Sequence, residues 1–269
     1  MKSLWSDTDA KTAIATYAAQ GVNEDLALRV YTTRLLGGDP LLVLHGGGNT
    51  SVKTEVKDLL GRAVEVLCVK GSGWDMGNIE PAGLPAVRLK PLLDYRTLPA
   101  LSDEDMVNIQ RGNLMDSTAP NPSVETLLHA FLPHKFIDHT HSTAILSLTD
   151  QPDGEALCRE VFGDTMAYVP YIMPGFALAK AAAEIYEANP KVEGMILVKH
   201  GIFTFGDTAK QAYELMITKV DQAEQRLAQG KQTVFAPSSL PANLATVAQV
   251  APILRGLLAQ DLGDAAWRK

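Results

Sequence analysis

Apolar residues recur every three or four positions over residues 9–19 and again over 24–36, the spacing of a helix that buries one face. Two amphipathic helices are therefore expected to open the chain. Leu41–Leu44 is a short apolar run ending in a glycine cluster, HGGGNTS (45–51), and predicts a brief strand that breaks into a loop. Val52–Gly61 is polar and reads as connecting chain, whereas AVEVLCVK (63–70) has the apolar and β-branched content of a strand. A helix is predicted at Asp103–Met115, where Ser102 and Asp105 form a near capping box. A second should start at Ser123, after Asn-Pro, and run to Leu132.

Beyond it the pattern predicts a strand FIDHTH (136–141), helices at 155–162 and 175–188, and two strands, GMILVKH and GIFTF, joined at His200-Gly201. Thr208 is placed to cap a long helix to Gln229, with Ala212, Met216, Val220, Ala223 and Leu227 on one face. Such a helix should lie against a sheet. Gly230 and the run APSSLPAN then break the pattern before a last helix near 242–260 and a polar DAAWRK. The organisation expected is an α/β domain over 1–230, followed by a linker and helical tail over 231–269, with no internal repeat and no low-complexity tract.

With 269 residues, 46% of them hydrophobic, the chain can bury a large core. Its formal net charge of −7, with no Lys/Arg-rich block, argues against a nucleic-acid or anionic-membrane surface while leaving room for a local cationic pocket. Cys68 and Cys158 form no CxxC pair and are expected to be reduced core residues. The segment MKSLWSDTDAKTA lacks the apolar core of a signal peptide, and no apolar run is long enough to span a bilayer, so a cytoplasmic protein is expected.

The chemistry centres on six histidines, His45, His129, His134, His139, His141 and His200. On a strand, residues i and i+2 share a face, so His139 and His141 can present both imidazoles to one point. Alone, such a pair also occurs on ordinary strand surfaces, and His200 alone reads as a hydrogen-bonded histidine at a turn. Together the three give a His₃ set with an open fourth position, the arrangement of catalytic rather than structural zinc. Glu125 falls in the first turn of the helix expected from Ser123, where the helix dipole favours a carboxylate, with plain charge compensation as the other reading. His129, four residues on, fits a packed core position better than the site, and His134, after Pro133, is expected in solvent.

The glycine cluster offers backbone N–H groups and short polar side chains suited to a phosphate, although a simple tight turn explains it as well. Gly71-Ser72-Gly73 also follows a strand. In GSGWDMG the third glycine comes one place too late for a dinucleotide fingerprint, and NIEP opens a helix poorly, so this loop is read as a second set of phosphate donors.

In order, HGGGNTS, KGSG, NPSVETLLHAFL, the HTH of FIDHTHS and VKHGIFTFG make the chain similar to the class II aldolase/adducin family over about residues 25–230. Through LHGGGNTSVK, VKGSGWDMGNIEPAGLPAVRL and LVKHGIFTFGD it most resembles the aldolase portion of bifunctional rhamnulose-1-phosphate aldolase/alcohol dehydrogenases. A dehydrogenase segment follows in those proteins; the sequence here ends at Lys269, as a piece of a longer protein or as a single-function version, and dehydrogenase activity is not expected of it.

The resemblance implies a three-layer α/β/α sandwich around a mixed, largely antiparallel sheet. It implies that His139, His141 and His200 ligate zinc and that Glu125 is the acid/base, able to approach the metal when substrate is absent. It assigns Asn49 and Ser51 to one phosphate loop, Ser72 and Gly73 to a second, and a further phosphate contact to Ser123. Val124 stands where many members carry another serine. The activity implied is zinc-dependent retro-aldol cleavage, without a lysine Schiff base, of L-rhamnulose 1-phosphate or a related (deoxy)ketose 1-phosphate to dihydroxyacetone phosphate and an aldehyde such as L-lactaldehyde. The zinc serves there as a Lewis acid for the enediolate. Pentulose-phosphate 4-epimerases and a sugar-phosphate dehydratase share the same zinc site, whereas adducin-like binding modules lack the ligands and are disfavoured by the intact histidine set. The usual assembly is a cyclic homotetramer in which a neighbour's tyrosine completes the site.

Overall fold

The computed structural model describes residues 1–45, 47–230 and 245–258. Seven strands form one sheet: β1 (Asn49–Lys57), β2 (Ala63–Val69), β3 (Ala86–Arg88), β4 (Phe136–Thr140), β5 (Met166–Val169), β6 (Gly194–Leu197) and β7 (Gly201–Gly206), in the order β3-β2-β1-β4-β7-β6-β5. Among the described residues only β5 and β6 pair in parallel. The helices are α1 (Asp7–Ala18), α2 (Glu24–Gly37), α3 (Leu89–Asp94), α4 (Asp103–Gly112), α5 (Thr126–Phe131), α6 (Thr143–Thr149), α7 (Gly154–Phe162), α8 (Phe176–Ala188), α9 (Ala209–Ala228) and α10 (Val247–Leu258).

Strand periodicity sorts the core onto two faces. Leu67 and Val69 of β2, Ile137 of β4, and Phe203 and Phe205 of β7 pack with residues of α3, α4, α5 and α8. Their neighbours Val66, Cys68, Phe136 and Ile202 pack on the other side with residues of α1, α2, α6, α7 and α9. The result is a three-layer α/β/α sandwich with a mixed, mainly antiparallel sheet. Among the described residues no helix is long and apolar enough to cross a membrane. The chain divides at Gly230 into Met1–Gly230 and Lys231–Lys269. In the second unit, α10 exposes Val247, Ile253, Leu254, Leu257 and Leu258, while the run APSSLPAN and the terminal DAAWRK lie outside the described residues.

Several expected elements are displaced. Leu41–Leu44 is a turn rather than a strand: the N–H groups of Leu42 and Val43 both donate to Asp39 O, which curls the segment. The strand is instead the polar stretch that follows. Thr50, Val52, Thr54 and Val56 alternate as β-branched residues should, and pairing with β2 on one side and β4 on the other satisfies the backbone. The intervening face carries Asn49, Ser51 and Lys53, and all three reach toward α5. Asn49 Nδ2 donates to Glu125 Oε2, Ser51 Oγ meets His129 Nδ1, and Lys53 Nζ donates to the carbonyls of His129, Leu132 and His134. Those carbonyls at the helix C-terminal end hold the half-buried lysine, although desolvation lowers its pKa to about 7.

α5 itself begins at Thr126, not Ser123. Ser123 Oγ accepts from Glu125 N–H and Ser123 O from Thr126 N–H, so the serine holds a turn and Glu125 becomes the N-cap residue. α4 stops at Gly112 because Leu114 bridges to Val87. His134, expected in solvent, stacks on Phe205 at 4.1 Å with Tyr186 edge-on.

Under the sheet centre, Arg29 of α2 approaches Asp138 of β4 at 2.5 Å, both wholly buried. Arg29 Nη1 also donates to the carbonyls of Ser51 and Ile137, tying α2 to β1 and β4. Burial pushes the Asp138 carboxyl up and the guanidinium opposes it. Removing one member leaves a lone buried charge, so Arg29→Met or Asp138→Leu should each cost about 3–5 kcal/mol. The double variant should lose less than either single one, as urea unfolding of all three will show.

Candidate active site

The end of β4 and the start of β7 lie side by side, with Thr140 opposite Ile202 and His139 opposite Phe203. His139 leaves the strand toward the cleft, its ring stacked on Phe203 at 4.2 Å. Its Nδ1 lies 3.1 Å from Ile202 O, so that nitrogen carries the proton and Nε2 keeps its lone pair. His141 follows on the same side, one residue past the strand. His200 sits in the Val198–His200 turn between β6 and β7, where Lys199 takes a left-handed φ of 60°. Gly201 is required next: a Cβ there would stand 2.4 Å from Thr140 O and 3.0 Å from His139 Cε1.

These three imidazoles converge, each offering one ligand atom within 4.8 Å of the others. His139 Nε2 and His141 Nε2 are 3.0 Å apart, a separation that two lone pairs hold only with a proton or cation between them. Glu125 completes the cluster, with Oε2 3.3 Å from His139 Nε2 and Oε1 3.4 Å from His200 Nε2. Oε1 is buried and has no hydrogen-bond partner among the described residues.

Desolvation dominates the electrostatics. It holds His139 well below the ordinary imidazole range, lowers His141, and brings His200 to about 4, with mutual repulsion adding to the effect at His139 and His200. Neutral imidazoles are what a metal needs. Burial also raises Glu125 to about 7, opposed by the Asn49 hydrogen bond, so the dipole-stabilised carboxylate expected in a first helical turn is not what the structure holds. Three neutral nitrogens and an orphaned carboxyl oxygen fit a divalent ion of the zinc type.

A cleft of about 320 Å³ opens over the cluster, lined by Gly47, Gly48, Asn49, Lys70 to Gly73, Ser123, Val124, Glu125, His141, Pro174 and His200. Asn49, Ser72, Gly73 and Ser123 thus reach the same space as the histidines; Ser51 does not. Its hydroxyl is buried beneath the cleft, 2.7 Å from His129 Nδ1. Several loop N–H groups are already used: Gly71 donates to Gly83 O, Ser72 to Asn121 O and Ser123 to Lys70 O. Gly46 lies outside the described residues. His129 is wholly buried, with its ring nitrogens on Ser51 and Asn49.

Lys70 was not anticipated. Among the described residues that line this cleft it alone carries an ammonium group, and its signal was the lysine of KGSG at a strand end. A larger hollow of about 480 Å³ around His134, Glu193, Asp207 and Glu214 lies at the opposite end of β7, away from the converging nitrogens.

A sequence profile described as the class II aldolase and adducin N-terminal domain matches residues 28–227. The chain is 37% identical over 244 residues to the "Uncharacterized oxidoreductase YuxG" of Bacillus subtilis (strain 168), a match covering 86% of this chain and 35% of that protein. It therefore spans about a third of the length of that curated relative. Among solved structures, the N-terminal class II aldolase domain of a conserved protein from Thermoplasma acidophilum superposes with a TM-score of 0.75 and 39% identity, covering 84% of this chain and 99% of that one. The sugar-phosphate aldolase from Thermotoga maritima shares the fold, with a TM-score of 0.56, 16% identity, and coverage of 75% and 93%.

Glu125 makes the apo-protein's stability depend on pH. A carboxyl raised from 4.5 to about 7 keeps in the folded state a proton that the unfolded chain gives up, so stability is lost as pH rises through that window. In metal-stripped protein, Glu125→Gln should raise stability at pH 8 by about 2–3 kcal/mol. The gain should vanish below pH 4.5, as denaturant unfolding across pH will show.

Proposed function

The chain belongs to the class II aldolase and adducin family and its domain is of the metal-dependent, enzymatic kind; on that footing we propose that it cleaves a (deoxy)ketose 1-phosphate by a zinc-dependent retro-aldol reaction. The leading substrate is L-rhamnulose 1-phosphate, giving dihydroxyacetone phosphate and L-lactaldehyde. One observation carries the reading: three imidazole nitrogens and the Glu125 carboxyl meet in the same cleft as Asn49, Ser72, Ser123 and Lys70.

His139, His141 and His200 would hold the ion. When bound, a zinc-type cation supplies Lewis acidity toward a substrate carbonyl. Glu125 is the proton carrier. As the C3–C4 bond breaks, its electron pair passes to C3 and the C4 hydroxyl gives up its proton to solvent or a neighbouring base to become the aldehyde; Glu125, kept near neutrality by burial, gives C3 a proton and takes it back in the condensation direction, when the oxygen on C4 is reprotonated. Asn49, Ser72, Gly73 and Ser123 bind the phosphate through side chains and short loops, and Lys70 brings the positive charge that an acidic protein otherwise lacks in this cleft. Val124, half exposed in the cleft wall, offers an apolar contact in place of a hydroxyl. A non-catalytic adducin-like role would leave the converging histidines without purpose.

The further proposals are a cytoplasmic location, a sugar phosphate rather than nucleic acid or membrane as partner, and a cyclic homotetramer in which a neighbouring tyrosine completes the site. Light scattering of the purified protein tests the assembly.

Product identification on a panel of ketose 1-phosphates and pentulose 5-phosphates tests the reaction. Dihydroxyacetone phosphate should appear from the former; an epimer, a dehydrated product or no turnover would refute the aldolase reading. Chelation should abolish turnover, with zinc restoring it. Alanine at His139, His141 or His200 should release the ion, measured by metal analysis. Ser72→Ala should raise KM about 10-fold or more at unchanged metal content, since a hydrogen bond to a charged group contributes roughly 1.5–3 kcal/mol.

A further inference from the structure

Beneath the cleft, four buried side chains from β1 and α5 stand in line: Ser51, His129, Asn49 and Glu125. We propose that the first three form a one-way hydrogen-bond chain that fixes the Glu125 carboxyl, anchoring Oε2 and turning Oε1 toward His200; its effect on catalysis rests on the role assigned to Glu125 above. Ser51 and His129 are then positioning residues, and Asn49 acts on the acid as well as facing the ligand.

The direction follows from which atoms can donate. Asn49 Nδ2 lies 2.7 Å from Glu125 Oε2 and 3.1 Å from Ser123 Oγ, so the amide nitrogen points at the carboxyl and its Oδ1 points away. That Oδ1 is 2.5 Å from His129 Nε2. An oxygen facing a ring nitrogen requires N–H there, so His129 is protonated on Nε2. Burial keeps this imidazole neutral, with Lys53 and Arg29 adding to the effect, and a neutral ring has one N–H, so Nδ1 is a lone pair. Ser51 Oγ, 2.7 Å from Nδ1, must then donate. Donation runs from Ser51 to His129 to Asn49 to Glu125, and no link has solvent to compete with it: Ser51 and His129 are 0% exposed, Asn49 5% and Glu125 6%.

The chain also closes on itself. His129 N–H donates to Glu125 O one turn back along α5, so helix and side chains form a loop through the same two residues. The ring of His129 is further held against Phe203 at 5.2 Å. With Oε2 held by Asn49, Oε1 is the oxygen that has no hydrogen-bond partner among the described residues and faces His200 Nε2 at 3.4 Å.

Two measurements test this. ¹⁵N-histidine NMR on the wild-type protein should show His129 as the Nε2–H tautomer, and a proton on Nδ1 overturns the chain whatever the reaction is. Kinetics on the best ketose phosphate supply the second. Ser51→Ala should lower kcat by about 10-fold and His129→Leu by about 100-fold, within the range of disturbed acid/base catalysis. KM and metal content of Ser51→Ala should stay near wild type, and His129→Gln, whose amide N–H can stand in for Nε2–H, should recover most of the loss. A Ser51→Ala variant with raised KM and intact kcat would make Ser51 a phosphate contact and overturn the proposal. If the wild type turns over no sugar phosphate while the Nε2–H tautomer is seen, the reaction is wrong and the chain is supported.

Discussion

The exclusion of water from the far end of β4 is the constraint on which the site depends. In water His139 and His200 would titrate near neutrality and Glu125 would be ionised. Packed between Phe203, the β6–β7 turn and the end of β1, the imidazoles stay neutral and the carboxyl is raised to about 7. One cause thus prepares opposite chemistries: lone pairs for a cation and a transferable proton beside them. The sheet supplies that dryness because β1, β4 and β7 are its three central strands, covered on both faces by helices.

What the sequence revealed is what depends on local periodicity. His139 and His141 were legible because two residues along a strand always share a side, and His200 because a glycine after an apolar run marks a sharp turn. Cys68 and Cys158 are buried free thiols for the same plain compositional reason. The faces of the sheet were legible in β2 and β7, where apolar residues dominate.

The misreadings have a common origin in partners distant along the chain. β1 looked like connecting chain because Lys53, Glu55 and Lys57 interrupt it, and nothing nearby shows that Lys53 will meet three carbonyls about 80 residues away. Ser51 looked like a ligand contact because it follows Gly-Asn, but the pairing of Asn49 with His139 turns it under the cleft toward His129. His134 followed a proline and looked exposed, yet Phe205 and Tyr186 arrive from other elements to enclose it. Lys70 escaped notice because a lysine at a strand end is ordinary until a cleft forms over it.

The face of β1 that carries Asn49, Ser51 and Lys53 grips α5 at three points along its length, from the residue before its first turn to the carbonyls after its last. A six-residue helix has little stability of its own, so its place is set by the strand, together with the Ser123 turn that leads into it. The spacing between acid and histidines is therefore inherited through the pairing of β1 with β4. Insertions and deletions in the long excursion between β3 and the turn at Ser123, which contributes nothing to the cleft lining, can accumulate over evolution without re-aiming the Glu125 carboxyl.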